Sequence, residues 1–197
     1  MPSSIRNEIV GLFVGGKSLR MGQPKGLLPS RVTGEPIVVR LARMAEELGF
    51  EPVLVGDASP YTRVLSTLRV VADQPPDIGP LGGLSGVLAM AGQRGVIALA
   101  CDMPYVSSEL LSRVADSAQG AMVLAPRGQA GYWEPLCARY DPAQVRPLLS
   151  MALARGVRSF RQLFDSLDVT ELKLSERERE ELLDWDRPED IPEGKRR

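Results

Sequence analysis

No histidine occurs anywhere in the 197 residues. That absence excludes every mechanism needing an imidazole base and every metal centre built on imidazole ligands. Cysteine is scarce: Cys101 and Cys137 lie in apolar surroundings and make no metal-ligand spacing, so a reduced cytoplasm is the expected home. Neither sign of charge dominates. A net charge of −1 points to neither nucleic acid nor a membrane surface as the main partner. Long apolar runs are missing, so no spanning helix is expected, and Met1-Pro-Ser-Ser-Ile-Arg-Asn-Glu8 lacks the apolar core of a signal peptide. Internal repeats and low-complexity segments are absent. The remaining composition, 44% hydrophobic and 25% charged, suits a globular chain with a substantial core. The length suits one domain over 1–197, with a peripheral C-terminal tail from about residue 185.

What the sequence does have is glycine and positive charge concentrated in one place. Ile9 to Val14 is an apolar run with the length and residue types of a buried strand. It opens directly into Gly15, Gly16, Lys17, Ser18, Arg20, Gly22, Pro24 and Lys25. Glycines let backbone N–H groups approach a ligand closely, and amides clustered with cations make a concave positive site for several phosphates. The stretch reads as a triphosphate-binding loop. Gly11 to Ser18 also fits the P-loop pattern G-x-x-x-x-G-K-[ST], and Val96 to Asp102 looks like the acidic strand that follows one. Context opposes this, because a P-loop lysine opens a long helix whereas Gly22 and Pro24 follow Ser18 almost at once. The dinucleotide pattern G-x-G-x-x-G is absent.

Beyond the loop, short apolar strands alternate with helical stretches. Pro36 to Leu48 reads as a helix with Ile37, Leu41, Met44 and Leu48 on one face. Strands follow at Pro52–Val55 and Leu68–Ala72, a helix near Leu84–Ala91, and a fully apolar strand at Val96–Ala100. Ser107 and Ser108 cap a helix to Ala118, Ala121–Ala125 and Leu136–Ala138 supply two more strands, and Glu176–Leu183 is a charged helix. The alternation predicts a three-layer α/β/α, Rossmann-like fold with a mostly parallel sheet and ligands at the carboxyl ends of its strands.

Two acids follow strands. Asp73 begins a proline- and glycine-rich loop through Gly83, whose glycines let the backbone lie against a flat ligand. Its carboxylate suits the N1–H and exocyclic amine of a guanine. Asp77, within that loop, reads as a turn residue. Asp102 follows a buried strand, where a lone carboxylate is costly unless paired or on a metal. Mg²⁺ held through one or two carboxylates plus substrate phosphates fits a nucleotide enzyme, and a turn role before Pro104 is the alternative.

Gly15-Gly16-x-Ser18-x-Arg20-Met21-Gly22-x-x-Lys25 after an apolar strand resembles the signature loop of the nucleotidyltransferases. Within them it is most similar to the molybdenum cofactor guanylyltransferases, whose loop usually opens Leu-Ala-Gly-Gly where this chain has Phe13-Val14-Gly15-Gly16. An acid followed by Gly79-Pro80-Leu81-x-Gly83 resembles their nucleoside-binding segment, Cys101-Asp102-Met103-Pro104 their metal-binding signature, and Gly131 to Tyr140 their acceptor-facing segment. The resemblance implies the nucleotide-diphospho-sugar transferase type of fold and transfer of GMP from GTP to molybdopterin, with release of pyrophosphate. It implies nucleotide binding by Phe13, Val14, Gly15, Gly16, Lys25, Asp73 and Asp102, catalysis by Arg20 and Lys25, and Mg²⁺ on Asp102. The acceptor's phosphate is already an anionic nucleophile, so the missing histidine is no obstacle. A monomer is expected. Arg139, Arg146, Arg155, Arg158 and Arg161 read mostly as a solvated helix face. Asp184 and Asp186 stand where the family's closing Asn-x-Asn has asparagines. They motivate the alternative of a non-catalytic nucleotide-binding regulator; a cytidylyltransferase for the same pterin, or another small-acceptor nucleotidyltransferase, is the alternative within the class.

Overall fold

The apolar run Ile9–Phe13 is the central strand, β1, buried along its whole length. The computed structural model describes residues 6–15, 24–30, 33–118 and 120–183. Parallel to β1 lie β2 (Glu51–Val55) on one edge and the strand Val96–Ala100 on the other. In chain order β3 is Arg69–Val71, which extends the sheet in parallel beyond β2, and Val96–Ala100 is β4. Strands β5 (Val123–Ala125), β6 (Cys137–Tyr140) and β7 (Val169–Glu171) complete the order β3-β2-β1-β4-β6-β5-β7. Only β6 runs against its neighbours, so the expectation of a mostly parallel sheet holds.

Burial on both faces explains why β1 and β4 are apolar at every position and do not alternate. Val10 and Leu12 face the layer holding helices α1 (Ile37–Glu47) and α3 (Ser108–Asp116). Ile9 and Phe13 face the opposite layer, with α2 (Pro80–Ala91) and α4 (Pro142–Ala154). Gly11 is the exception in β1 because a Cβ there would lie 3.2 Å from Val55 Cγ2. Shorter helices α5 (Phe160–Phe164) and α6 (Glu176–Glu180) follow. As expected, Ser107 caps α3, its hydroxyl accepting from the Leu110 N–H at 3.1 Å.

Three features differ from the sequence expectation. Helix α2 begins at Pro80, a turn before Leu84, because Leu81, Leu84, Val87 and Leu88 are all fully buried and extend the apolar face backwards. Proline at that first turn has its φ already set for helix. The C-terminal half adds α4 and α5 to the layer that holds α2, and β7 to the sheet edge; Arg146, Arg155, Arg158 and Arg161 are exposed there. Arg139 belongs instead to β6, half-buried over Gly95. The tail from residue 185 lies outside the described residues, and no described helix is long and apolar enough to cross a membrane.

Helix α2 rests on the sheet through glycines. At Gly86 a Cβ would collide with the backbone carbonyl of Ala72, just beyond β3. Helix propensity alone favours alanine over glycine by about 1 kcal/mol, but forcing a group into a filled site costs about 1–3 kcal/mol. Gly86→Ala is therefore expected to lower the urea midpoint at unchanged slope, a net loss of about 1 kcal/mol. A midpoint above the parent's would show that the helix lifts off the strand without strain.

Candidate active site

Strands β1 to β4 deliver their carboxyl ends to one edge of the sheet, where a cleft of about 310 Å³ opens. Phe13, Val14 and Gly15 reach it from β1, Val55 and Gly56 from β2, Asp73 from beyond β3, and Ala100, Cys101 and Asp102 from β4. The chain winds outward from β1 to β2 and β3, then returns to lay β4 on the other edge of β1. Open α/β sheets leave a ligand crevice at such a reversal.

The floor is backbone. The Val14 N–H donates to the Val55 carbonyl at 3.0 Å, and the Gly56 N–H donates to the Val71 carbonyl at 2.9 Å. Gly56 holds φ +97°, and a Cβ on it would lie 3.0 Å from Gly15 Cα. Side chains on this pair would fill the crevice that the two glycines leave open.

The walls carry opposite chemistry. On one, Lys25 Nζ donates to Asp102 Oδ2 at 2.9 Å, with 18% and 21% of the two side chains exposed. Lys25 starts a single 3-10 turn, Lys25–Leu27, whose Gly26 is wedged so tightly that a Cβ would sit 3.0 Å from the Tyr61 ring and 3.2 Å from Cys101 Cβ. That seat fixes the lysine beside the end of β4. Each partner offsets part of the other's desolvation, which answers how Asp102 is tolerated after a buried strand. On the other wall stands Asp73, half-buried, its carboxylate alongside Gly83 and Gly56. Desolvation, and then the charge of Asp77, raise its pKa above the ordinary aspartate value. Asp77 is exposed at φ 59°, a turn conformation that aspartate tolerates, in keeping with its reading as a turn residue.

Two contacts steady the chain beyond Asp102. Arg40, buried on α1, donates from Nη2 to the Val106 carbonyl at 2.6 Å. Glu181 Oε2 accepts the Ser107 N–H at 3.0 Å. Beneath the cleft, burial pushes the Cys101 thiol up to about 12 and raises Tyr61 as well. A thiol that stays protonated is packing, not a nucleophile. Cys137 is likewise buried, and both cysteines are free.

Residues 11–170 match the MobA-like NTP transferase domain. The chain belongs to this family. A molybdenum cofactor guanylyltransferase of Xanthomonas euvesicatoria pv. vesicatoria is 33% identical over 181 residues, spanning 90% of this chain and 89% of that protein. A molybdenum cofactor guanylyltransferase of Pseudomonas fluorescens is 33% identical over 156 residues, 78% of this chain and 76% of that one. The crystal structure of molybdopterin-guanine dinucleotide biosynthesis protein A from Archaeoglobus fulgidus shares the fold, with a TM-score of 0.75 at 22% identity over 92% of this chain and 94% of that chain. This protein is thus a nucleotidyltransferase with a MobA-like domain.

Within the MobA-like domain, Phe13, Val14, Gly15, Lys25, Asp73 and Asp102 line one cleft although they come from distant parts of the chain. Gly16 and Arg20, with Lys17 and Ser18, lie outside the described residues, as do Asp184 and Asp186. One expectation needs correction. Gly82 and Gly83 do not lie open in a loop against a ligand; they sit in the first turns of α2, where a Cβ would lie 2.5 Å from the Pro75 carbonyl oxygen and 2.8 Å from Val55 Cγ1, respectively. Gly79 and Pro80 line the cleft in their place. Gly56 and Tyr61, to which the sequence reading assigns no role, line it too, and so does Leu136 from the Gly131 to Tyr140 segment. Val55-Gly56 repeats the strand-then-glycine signal of β1 and was readable, whereas Tyr61 has no local signature.

The raised pKa of Asp73 has a pH consequence. Between its unfolded and folded pKa values the native state holds more protons than the unfolded chain, so ionising Asp73 costs stability as pH rises through that window. Asp73→Asn is expected to melt above the parent at about pH 7, with the difference vanishing below the ordinary aspartate range of about 3.9. Thermal melts at both pH values check this. A difference of equal size at both would mean that the carboxylate's charge is not its cause.

Proposed function

We propose that this nucleotidyltransferase transfers GMP from GTP to molybdopterin, forming molybdopterin guanine dinucleotide and releasing pyrophosphate. The observation that carries the reading is the meeting of Lys25 and Asp102 beside glycine backbone, at the crevice that also holds Asp73. A phosphate oxygen of the acceptor attacks the α-phosphorus, the new P–O bond forms there, and the bond to the bridging oxygen of the β-phosphate breaks. No proton has to be removed from an ionised phosphate, so a chain without histidine meets the demand by alignment and charge neutralisation.

The roles divide along the two walls. Asp73 accepts from the guanine N1–H and exocyclic amine, and its partial desolvation strengthens those bonds. Phe13 and Val14 bring the chain to the nucleoside, and the amides of Gly15 and Gly16 face the phosphates. Arg20 and Lys25 offset the charge that develops toward pyrophosphate. Asp102 suits Mg²⁺: it is a hard oxygen donor at the cleft wall, while no group of three acidic, cysteine or histidine residues among those described makes a complete cage. Asp102 would hold the ion as one carboxylate ligand, and the ion would supply charge neutralisation at substrate phosphate oxygens. Lys25, which pairs with Asp102 here, borders the same cleft and would be within reach of the phosphates.

Lys25→Ala is expected to cut pyrophosphate release from GTP, with molybdopterin and Mg²⁺ saturating, by about a hundredfold or more, as loss of one electrostatic contact in the transition state does. The fold should be retained with a modest loss of melting temperature, because Asp102, about a fifth exposed, loses the partner that offsets its desolvation while Lys25 itself packs little core. Unchanged turnover would remove Lys25 from the mechanism.

A paired comparison separates this reading from the P-loop pattern. Lys17 occupies a variable position of the nucleotidyltransferase loop, whereas a P-loop lysine there would reach the β- and γ-phosphates. Lys17→Ala is expected to keep activity within a few-fold of the parent, and Arg20→Ala to lose about a hundredfold. The assay is pyrophosphate against orthophosphate release. A dead Lys17 variant, a healthy Arg20 variant and orthophosphate as product would overturn the proposal.

A further inference from the structure

Among the described residues Arg40 is the only charged one that is buried, at 8% exposed. Its Nη2 donates to the Val106 carbonyl, while Nη1 is buried and has no hydrogen-bond partner among the described residues. Burial without a full set of partners is costly for a guanidinium. Desolvation lowers the Arg40 pKa from the ordinary arginine value, and the charges of Glu35 and Glu181 partly oppose it. An apolar side chain of similar length would avoid that cost, so packing alone does not call for arginine here.

The guanidinium grips one pole of a peptide. The Val106 carbonyl and the Ser107 N–H belong to the same peptide unit, and Glu181, directly after α6, accepts from the second at 3.0 Å. A trans peptide points these two groups in opposite directions, so α1 and the end of α6 hold it from two sides. Residues 102–106 are thereby spanned between this peptide and the end of β4, where the Cys101 N–H donates to the Phe13 carbonyl at 3.3 Å.

The first turn of α1 also holds the facing partner. The Ile37 N–H donates to the Leu28 carbonyl at 3.0 Å, and a Cβ on Gly26 would lie 3.2 Å from Val38 Cβ. One turn of helix thus seats both the segment that carries Lys25 and the segment that carries Asp102. The 2.9 Å contact between those side chains depends on it.

We infer that Arg40 and Glu181 are positioning residues, which act through the peptide between Val106 and Ser107 to fix where the Asp102 carboxylate stands relative to the phosphates and their divalent cation. The inference rests on the proposed transfer, in which Asp102 holds that ion. A pair that served stability alone would lower melting when cut and leave the chemistry of the folded protein intact.

The test uses the full chain, with Mn²⁺ in place of Mg²⁺ as the probe and GTP saturating. Three quantities are read on each variant below its melting temperature: kcat for pyrophosphate release with molybdopterin, thermal protection by GTP, and the EPR line shape of the bound Mn²⁺. Arg40→Met and Glu181→Ala are each expected to lower kcat about tenfold or more, since misplacing a group near the chemistry costs up to about a hundredfold. Protection by GTP should stay at the parent's level, and the line shape should move toward that of Asp102→Asn. Glu181→Gln keeps an acceptor oxygen and should restore both kcat and line shape. Glu181 is half-buried, so its variants keep the test open even if Arg40→Met does not fold. A parental kcat or line shape in Glu181→Ala, or a Glu181→Gln variant as slow as Glu181→Ala, would overturn the positioning role. A parent that releases no pyrophosphate, or a line shape that Asp102→Asn leaves untouched, would instead overturn the transfer reading or its metal ligand, and the inference with it.

Discussion

A strand hydrogen-bonded along both edges and covered on both faces has only its ends free to meet a ligand. β1 is that strand, and the rest of the molecule is arranged by it. Its neighbours run parallel to it, so their carboxyl ends arrive at the same edge and their helices must lie above and below the sheet. Because β1 passes to β2 through α1 and β3 passes to β4 through α2, on opposite faces of the sheet, the loops leaving β1 and β4 diverge and a crevice opens between them. Three segments far apart in sequence, around Gly15, Asp73 and Asp102, become neighbours for that reason alone.

Close packing keeps the crevice clear. Gly15 against Gly56 makes its floor, Gly26 seats Lys25, and Gly82 and Gly83 bring α2 against Asp73 and the ends of β1 and β2. At Gly56, Gly26, Gly82 and Gly83 a methyl group would press on backbone or on a neighbouring packed side chain, whereas one on Gly15 would meet the Gly56 backbone at ordinary contact distance. Glycine here sets distances between elements more than it supplies flexibility.

The charges follow the same geometry. Lys25 and Asp102 satisfy each other at the edge of solvent, so a carboxylate can stand at the end of an apolar strand without a permanent metal. The pair, about a fifth exposed on each side, borders the cleft where phosphates and a divalent cation would arrive in the proposed reaction. Cys101, next in sequence to Asp102, is held inert by burial, and no histidine competes. The chemistry open to the cleft is electrostatic.

The sequence by itself determined the layers and the position of the site along the chain. Continuous apolar runs at Ile9–Val14 and Val96–Ala100 have the length and residue types of strands covered on both faces, and the glycines and acids directly after such strands fall at the carboxyl edge of the sheet; both inferences depend on local pattern. It also determined which side chains carry charge there, hence Lys25, Asp73 and Asp102. Only the tertiary structure decided what these residues touch. That Lys25 pairs with Asp102, that Gly82 and Gly83 serve a helix contact, that Tyr61 underlies the cleft, and that Arg40 reaches the Val106 carbonyl are consequences of crossovers spanning tens of residues. No short window contains both Lys25 and Asp102, or both Gly83 and Val55, and the distance between such residues is set by how the intervening elements pack.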